Sequence, residues 1–131
     1  MKSISNRHFL VVDDEAFIRT VVVRFLRESG AAAVVEAADG AAALTAIAGY
    51  DLPFAAIISD VNMKPMNGIE LLRSIRSGEA GIKQTTPVVL LTIHAEAELV
   101  AEATALGASA FVLKPVHRED LIARVEQVLA A

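Results

Sequence analysis

Cysteine is absent from all 131 residues, which excludes disulfides, thiol catalysis and cysteine-held zinc and agrees with a reducing compartment. Positive charge is sparse and scattered: 12 Lys and Arg against 16 Asp and Glu leave a formal net charge of −4. No segment gathers the basic side chains into the patch that nucleic acid or an anionic membrane requires, so neither is expected as a direct partner. Long apolar runs are missing too. The start, Met1 to His8, is followed by only four apolar residues before Asp13, too few for a signal peptide and far too few for a membrane span. A cytoplasmic protein is expected.

No linker, repeat or low-complexity stretch interrupts the chain, and 54% hydrophobic content is ample for one core. A single domain over 1–131 is expected, its core running from about residue 7 to 129, with no output domain after the last helix. The chain is organised around Phe54-Ala55-Ala56-Ile57-Ile58-Ser59-Asp60, an apolar run without polar alternation that ends in one carboxylate. Bounded by Pro53 and by Lys64-Pro65 with Gly68, it reads as a strand buried on both faces of a parallel sheet.

Similar runs recur. Phe9-Leu10-Val11-Val12 leads into Asp13-Asp14-Glu15, Ala33-Val34-Val35 precedes Glu36, Pro87 to Leu91 ends at Thr92, and Ala110-Phe111-Val112-Leu113 leads into Lys114-Pro115. Between them lie helical patterns. Ile18, Val22, Phe25 and Leu26 recur before Gly30; Leu44 and Ile47 form a weak stripe between Asp39-Gly40 and Gly49. Asn67 caps a helix with Ile69, Leu72 and Ile75 inward and Arg73 and Arg76 outward, ending near Gly78. Ala95 to Leu106 reads as a fourth helix, and a last one buries Leu121, Ile122, Val125, Val128 and Leu129 behind Glu119 and Asp120. Five strands alternating with five helices predict an α/β fold, a doubly wound (βα)5 parallel sheet in the order 2-1-3-4-5.

Under that topology Asp13 and Asp14 end strand one, Asp60 strand three, Thr92 strand four and Lys114 strand five, all at one edge. Carboxylates so close raise one another's pKa unless a cation sits among them, and an all-oxygen site suits Mg²⁺. Metal, ammonium and hydroxyl together are what an anionic phosphoryl group needs around it, and an Asp can accept that group covalently. Each residue alone has a plainer reading: Asp14 as a helix cap, Thr92 as a strand residue, Lys114 as a surface charge. Their joint placement on separate strand ends favours the site.

These residues resemble the receiver domain of bacterial response regulators, in particular the stand-alone kind; chemotaxis regulators of that kind have the same 2-1-3-4-5 order. The resemblance rests on Asp13-Asp14, on Asp60 with Gly68 eight residues later, on Thr92 after Val88-Val89-Leu90-Leu91, and on Lys114-Pro115 after Phe111-Val112-Leu113. It implies that Asp60 is the phosphoacceptor and that Asp14, Asp60 and the backbone carbonyl of Asn62 bind Mg²⁺ directly, with Asp13 acting mainly through water. Lys114 and Thr92 would contact the phosphoryl group, the Lys114-Pro115 peptide would be cis, and Thr92 with Phe111 would switch the face of helix four, strand five and helix five. A histidine kinase or histidine phosphotransfer protein would be the donor and an unidentified protein the target, with the chain a monomer or weak dimer and no enzyme beyond self-catalysed phosphorylation and dephosphorylation.

Departures from the family pattern locate what is particular here. The loop proline, Pro65, stands one place late, with Lys64 in the usual position, and Asn67 replaces a frequent Asp. Ile93 occupies a position normally held by Ala or Gly, Phe111 replaces Tyr, and Asn62 and His94 fall where the family tunes hydrolysis of the acyl phosphate. Ile93 is expected to slow phosphorylation by small donors. The main alternative is a receiver-shaped interaction module that never uses phosphate, against which the complete residue set argues. An aspartate-based phosphatase usually carries a second Asp two residues on, where Asn62 stands, and a flavin-binding protein needs a hydroxyl- and glycine-rich loop where Asp13-Asp14-Glu15 would repel phosphate.

Overall fold

The computed structural model describes residues 4–94 and 96–130. Strands and helices alternate from end to end: β1 (His8–Val12), α1 (Ala16–Glu28), β2 (Ala33–Ala37), α2 (Gly40–Gly49), β3 (Ala56–Asp60), α3 (Gly68–Ser77), β4 (Val88–Thr92), α4 (Ala97–Ala105), β5 (Ala110–Leu113) and α5 (Arg118–Ala130). All strand pairs are parallel, and the sheet order is β2-β1-β3-β4-β5. This is the expected (βα)5 architecture.

Every residue of β3 and β4 is buried, which is why these runs carry no polar alternation. Successive side chains go to opposite faces. Leu10, Val12, Ile57, Val88 and Leu90 meet Ile47 of α2, Leu72 and Ile75 of α3 and Ala103 of α4. Phe9, Val11, Ile58, Val89 and Leu91 meet Val22 and Leu26 of α1 and Leu121 and Val125 of α5. Among the described residues, no helix is long and apolar enough to cross a membrane.

Several boundaries differ from the sequence expectation. β3 begins at Ala56, so Phe54 precedes it; its ring, still buried, stacks on Tyr50 with centroids 4.6 Å apart. β2 runs on through Glu36 and Ala37, which pair with Val11 and Val12. The expected helix start at Ala95 lies outside the described residues, and α4 buries only Ala103. In α5 Leu121 and Val125 are buried while Ile122, Val128 and Leu129 are half-buried. Arg76 does not point outward. Its stem lies half-buried and its guanidinium donates to the carbonyls of Gly107, Gln84 and Thr86, a reach that the planar fork makes possible.

Candidate functional site

β1 and β3 are adjacent and in register, Val12 opposite Ser59, so the residues that follow leave the sheet together. Asp60 ends β3 and is buried. Asp13, the residue after β1, is fully buried and held from three sides. Its N–H donates to the Ala37 carbonyl at 3.1 Å, its Oδ1 accepts the Glu15 N–H at 2.8 Å, and its carbonyl accepts Arg19 Nη1 at 2.6 Å. Arg19 is itself fixed by Glu36 at 3.1 Å. Asp14 and Glu15 are exposed at the rim.

Lys114 follows β5, with its N–H on the Thr92 carbonyl at 2.8 Å. Its Nζ lies 3.2 Å from Asp13 Oδ2, 3.2 Å from Asp60 Oδ1 and 3.0 Å from Glu15 Oε1. The contact with Asp13 lacks hydrogen-bond geometry, so Asp13 Oδ2 is a buried oxygen with no hydrogen-bond donor among the described residues. Each of Asp13, Asp14, Glu15 and Asp60 offers one carboxylate oxygen, all within 4.8 Å of one another.

The electrostatics follow from this crowding. Burial pushes the Asp60 carboxyl above its ordinary range and the charge of Asp13 adds to the rise, with Lys114 opposing both. Burial likewise raises Asp13 against the Glu15 N–H and Lys114. Burial alone would lower Lys114, but the hydrogen bond to Glu15 and the fields of Asp13 and Asp60 outweigh it and the ammonium is held above its usual value. One cation among four carboxylates leaves the site short of positive charge.

The loop after β3 returns tightly. Gly68 N–H donates to the Val61 carbonyl at 2.9 Å, and a Cβ on Gly68 would lie 2.2 Å from the Asp60 carbonyl oxygen. Asn67 and Glu70 then form a reciprocal cap that starts α3. Thr92 is buried, and its hydroxyl donates to the His94 carbonyl at 2.9 Å, turned into its own loop. Asn62, Ile93 and His94 are exposed and, with Val61, Thr92 and Leu99, line a cavity of about 280 Å³. Phe111 is half-buried against the apolar cluster under α2, α3 and α4. The Lys114-Pro115 peptide is cis, and so is Lys64-Pro65, of which the sequence gives no sign.

A family model of the response regulator receiver domain matches residues 9–126. This chain belongs to that family. The receiver is 32% identical to the chemotaxis protein CheY of Pseudomonas aeruginosa over 119 residues, 91% of this chain and 93% of the relative. It is also 32% identical to CheY-3 of Vibrio cholerae over 130 residues, 98% of this chain and 97% of the relative. Among solved structures, chemotaxis protein CheY4 of Vibrio cholerae superposes with a TM-score of 0.85 at 34% identity, covering 95% of this chain and 99% of that one.

Sequence reasoning places Asp13, Asp14, Asp60, Thr92 and Lys114 at the edge of the receiver where they are found. It misses Glu15, which it reads only as part of an acidic run, and Arg19. An i, i+6 relation from Asp13 to Arg19 within a strand–helix turn is the one available hint of the second; nothing in the sequence joins Glu15 to Lys114, 99 positions away.

Proposed function

We propose that this receiver accepts a phosphoryl group on Asp60 from a histidine kinase or a histidine phosphotransfer protein and passes the change on to a partner protein. The single observation that carries the reading is the Asp60 carboxylate at the end of β3, 3.2 Å from Lys114 Nζ and backed by the Asp13 and Asp14 carboxylates. In the transfer, an Asp60 oxygen bonds to phosphorus while the bond from phosphorus to the donor imidazole nitrogen breaks, and that nitrogen keeps the electron pair. The product is an acyl phosphate. Lys114 offsets charge on the phosphoryl oxygens and Thr92, once its hydroxyl leaves the His94 carbonyl, donates to one of them.

The donor set fits a hard divalent ion: all the ligating atoms are oxygens, Asp13 Oδ2 lacks a hydrogen-bond donor, and the pKa values of Asp13 and Asp60 are raised. Asp14, Asp60 and the Asn62 carbonyl would hold Mg²⁺ directly, with Asp13 helping through water. Bound there, the ion supplies positive charge to the transferring phosphoryl group. Rotation of Thr92 and inward movement of Phe111 shift the population of two states of the face formed by α4, β5 and α5. Asn62, Ile93 and His94 set the rates of gain and loss. The unit that does this is one domain with its core over about residues 7–129.

Intact mass after incubation with a small phosphodonor tests the reading. One phosphoryl addition is expected, dependent on Mg²⁺ and absent from Asp60→Asn. No addition, together with no response of Phe111 to beryllofluoride by NMR, makes the chain a phosphate-independent interaction module.

A further inference from the structure

Glu15 occupies the N-cap position of α1, yet its side chain makes no cap hydrogen bond. Its own N–H is taken by Asp13 Oδ1 in a local turn two residues back. Glutamate is a poor N-cap residue in any case. Its carboxylate instead crosses to the far end of the chain and accepts from Lys114 Nζ at 3.0 Å, the shortest of the three contacts that ammonium makes with carboxylates. Lys114 is nearly enclosed, its side chain 8% exposed, while the Glu15 side chain is 58% exposed. The rim carboxylate therefore covers the solvent side of an ammonium whose inner side is taken by Asp13 and Asp60.

We infer that Glu15 is the resting partner of Lys114, standing where a phosphoryl oxygen will bind, and that phosphorylation of Asp60 displaces it. This rests on the phosphoacceptor reading above. A lysine can satisfy only as many acceptors as it has N–H bonds; one is given to Glu15, and the Asp13 and Asp60 carboxylates stand 3.2 Å away on its inner side. A phosphoryl group arriving on Asp60 brings further anionic oxygens into the same space, and the carboxylate with the most freedom to leave is the exposed one. Glu15 is in this sense a positioning residue: it keeps the ammonium aimed across the mouth of the site, and it competes with the group the site is built to receive.

The test uses the full chain and two substitutions, Glu15→Gln and Lys114→Met. In the absence of donor, Glu15→Gln should shift the side-chain amine resonance of Lys114, a readout that a general loss of stability does not move; an unmoved resonance overturns the resting pair. With Mg²⁺ and a small anionic donor, Glu15→Gln should gain the phosphoryl group about three-fold faster, the factor expected for loss of one solvent-screened ion pair. A rate equal to that of the parent chain overturns the competition, whereas a parent chain that neither takes a phosphoryl group nor responds at Phe111 to beryllofluoride overturns the phosphoacceptor reading and this inference with it. In the Lys114→Met background, Glu15→Gln should leave Mg²⁺ affinity within about three-fold, because neighbours acting only through one another lose their coupling when either is gone. A larger loss there makes Glu15 a metal ligand and overturns the assignment.

Discussion

Thr92 and His94 hold each other through a closed pair of contacts: the Thr92 hydroxyl donates to the His94 carbonyl at 2.9 Å and accepts the His94 N–H at 3.2 Å. The hydroxyl's one proton is thus committed within its own loop and must leave the His94 carbonyl before it can serve a phosphoryl group, while the N–H it accepts need not be given up. Thr92→Ala should still gain the phosphoryl group at Asp60 but lose at least about five-fold in the population shift that follows, the lower end of ordinary coupling between two sites. Aromatic NMR signals of Phe111, recorded with and without beryllofluoride, report that shift; a full response in the variant would separate Thr92 from the switch.

The raised carboxyls of Asp13 and Asp60 fix the direction of a pH effect. A folded state that holds protons more tightly than the unfolded chain is most stable below the ordinary carboxylate value of 3.8 and loses that stability as pH rises through the raised values. Without divalent metal, the urea midpoint of the parent chain, taken relative to Asp60→Asn, should therefore fall as pH climbs above about 4. Mg²⁺ should restore it at neutral pH. Lys114 acts at the other end, its contribution lasting until pH passes its own raised value. A relative midpoint that rises over the acid interval would contradict the crowding of carboxylates.

Gly68 and Gly49 make opposite predictions from one substitution. A Cβ at Gly68 meets the Asp60 carbonyl oxygen at 2.2 Å, while at Gly49 nothing lies within 4 Å. Gly68→Ala should cost about 1–3 kcal/mol through backbone displacement in a packed region, and Gly49→Ala, at the last residue of α2, should be neutral or stabilising by up to about 1 kcal/mol. Equilibrium unfolding in urea measures both.

Arg76 ties α3 to the segments before β4 and β5. Its guanidinium makes four hydrogen bonds to three carbonyls, those of Gly107, Gln84 and Thr86. Arg76→Ala should lower stability by about 2 kcal/mol, since carbonyls lose a charged donor. Arg76→Lys should recover little, because an ammonium cannot span the fork. Faster amide exchange around Gln84 and Gly107 is the local sign of the same loss.

Ile93 is 61% exposed and lies over the small cavity shared with Asn62, Thr92 and His94. Trimming it to Ala should speed phosphorylation by small donors several-fold while leaving the urea midpoint unchanged. Equal rates in the two proteins would show that the branched side chain does not obstruct entry.

Much of this arrangement is legible in the sequence because the strands are unmixed apolar runs and each ends in a chemically distinct residue. Asp60, Thr92 and Lys114 announce themselves by ending such runs. Alanine is what blurs the rest: in α2 and α4 its small side chain gives little contrast between faces, and α4 turns out to bury only Ala103. Long flexible side chains blur it too. Arg76 sits on a helix face that periodicity assigns to solvent, yet its guanidinium reaches inward, and Glu15 looks like one more charge in an acidic run until the fold brings Lys114 beside it. The direction of the Thr92 hydroxyl depends on a rotamer, which no pattern of residue types encodes.

The span of chain between Asp13 and Lys114 has a consequence for biosynthesis. Among the described residues β5 is an edge strand, paired only with β4, and it is the last strand to emerge during synthesis. A nascent chain that already displays Asp13, Asp14 and Asp60 has no ammonium among them. Completion of the sheet and of this charged cluster are therefore one event, and a product cut before the final strand lacks the cluster's ammonium as well as one edge of the sheet.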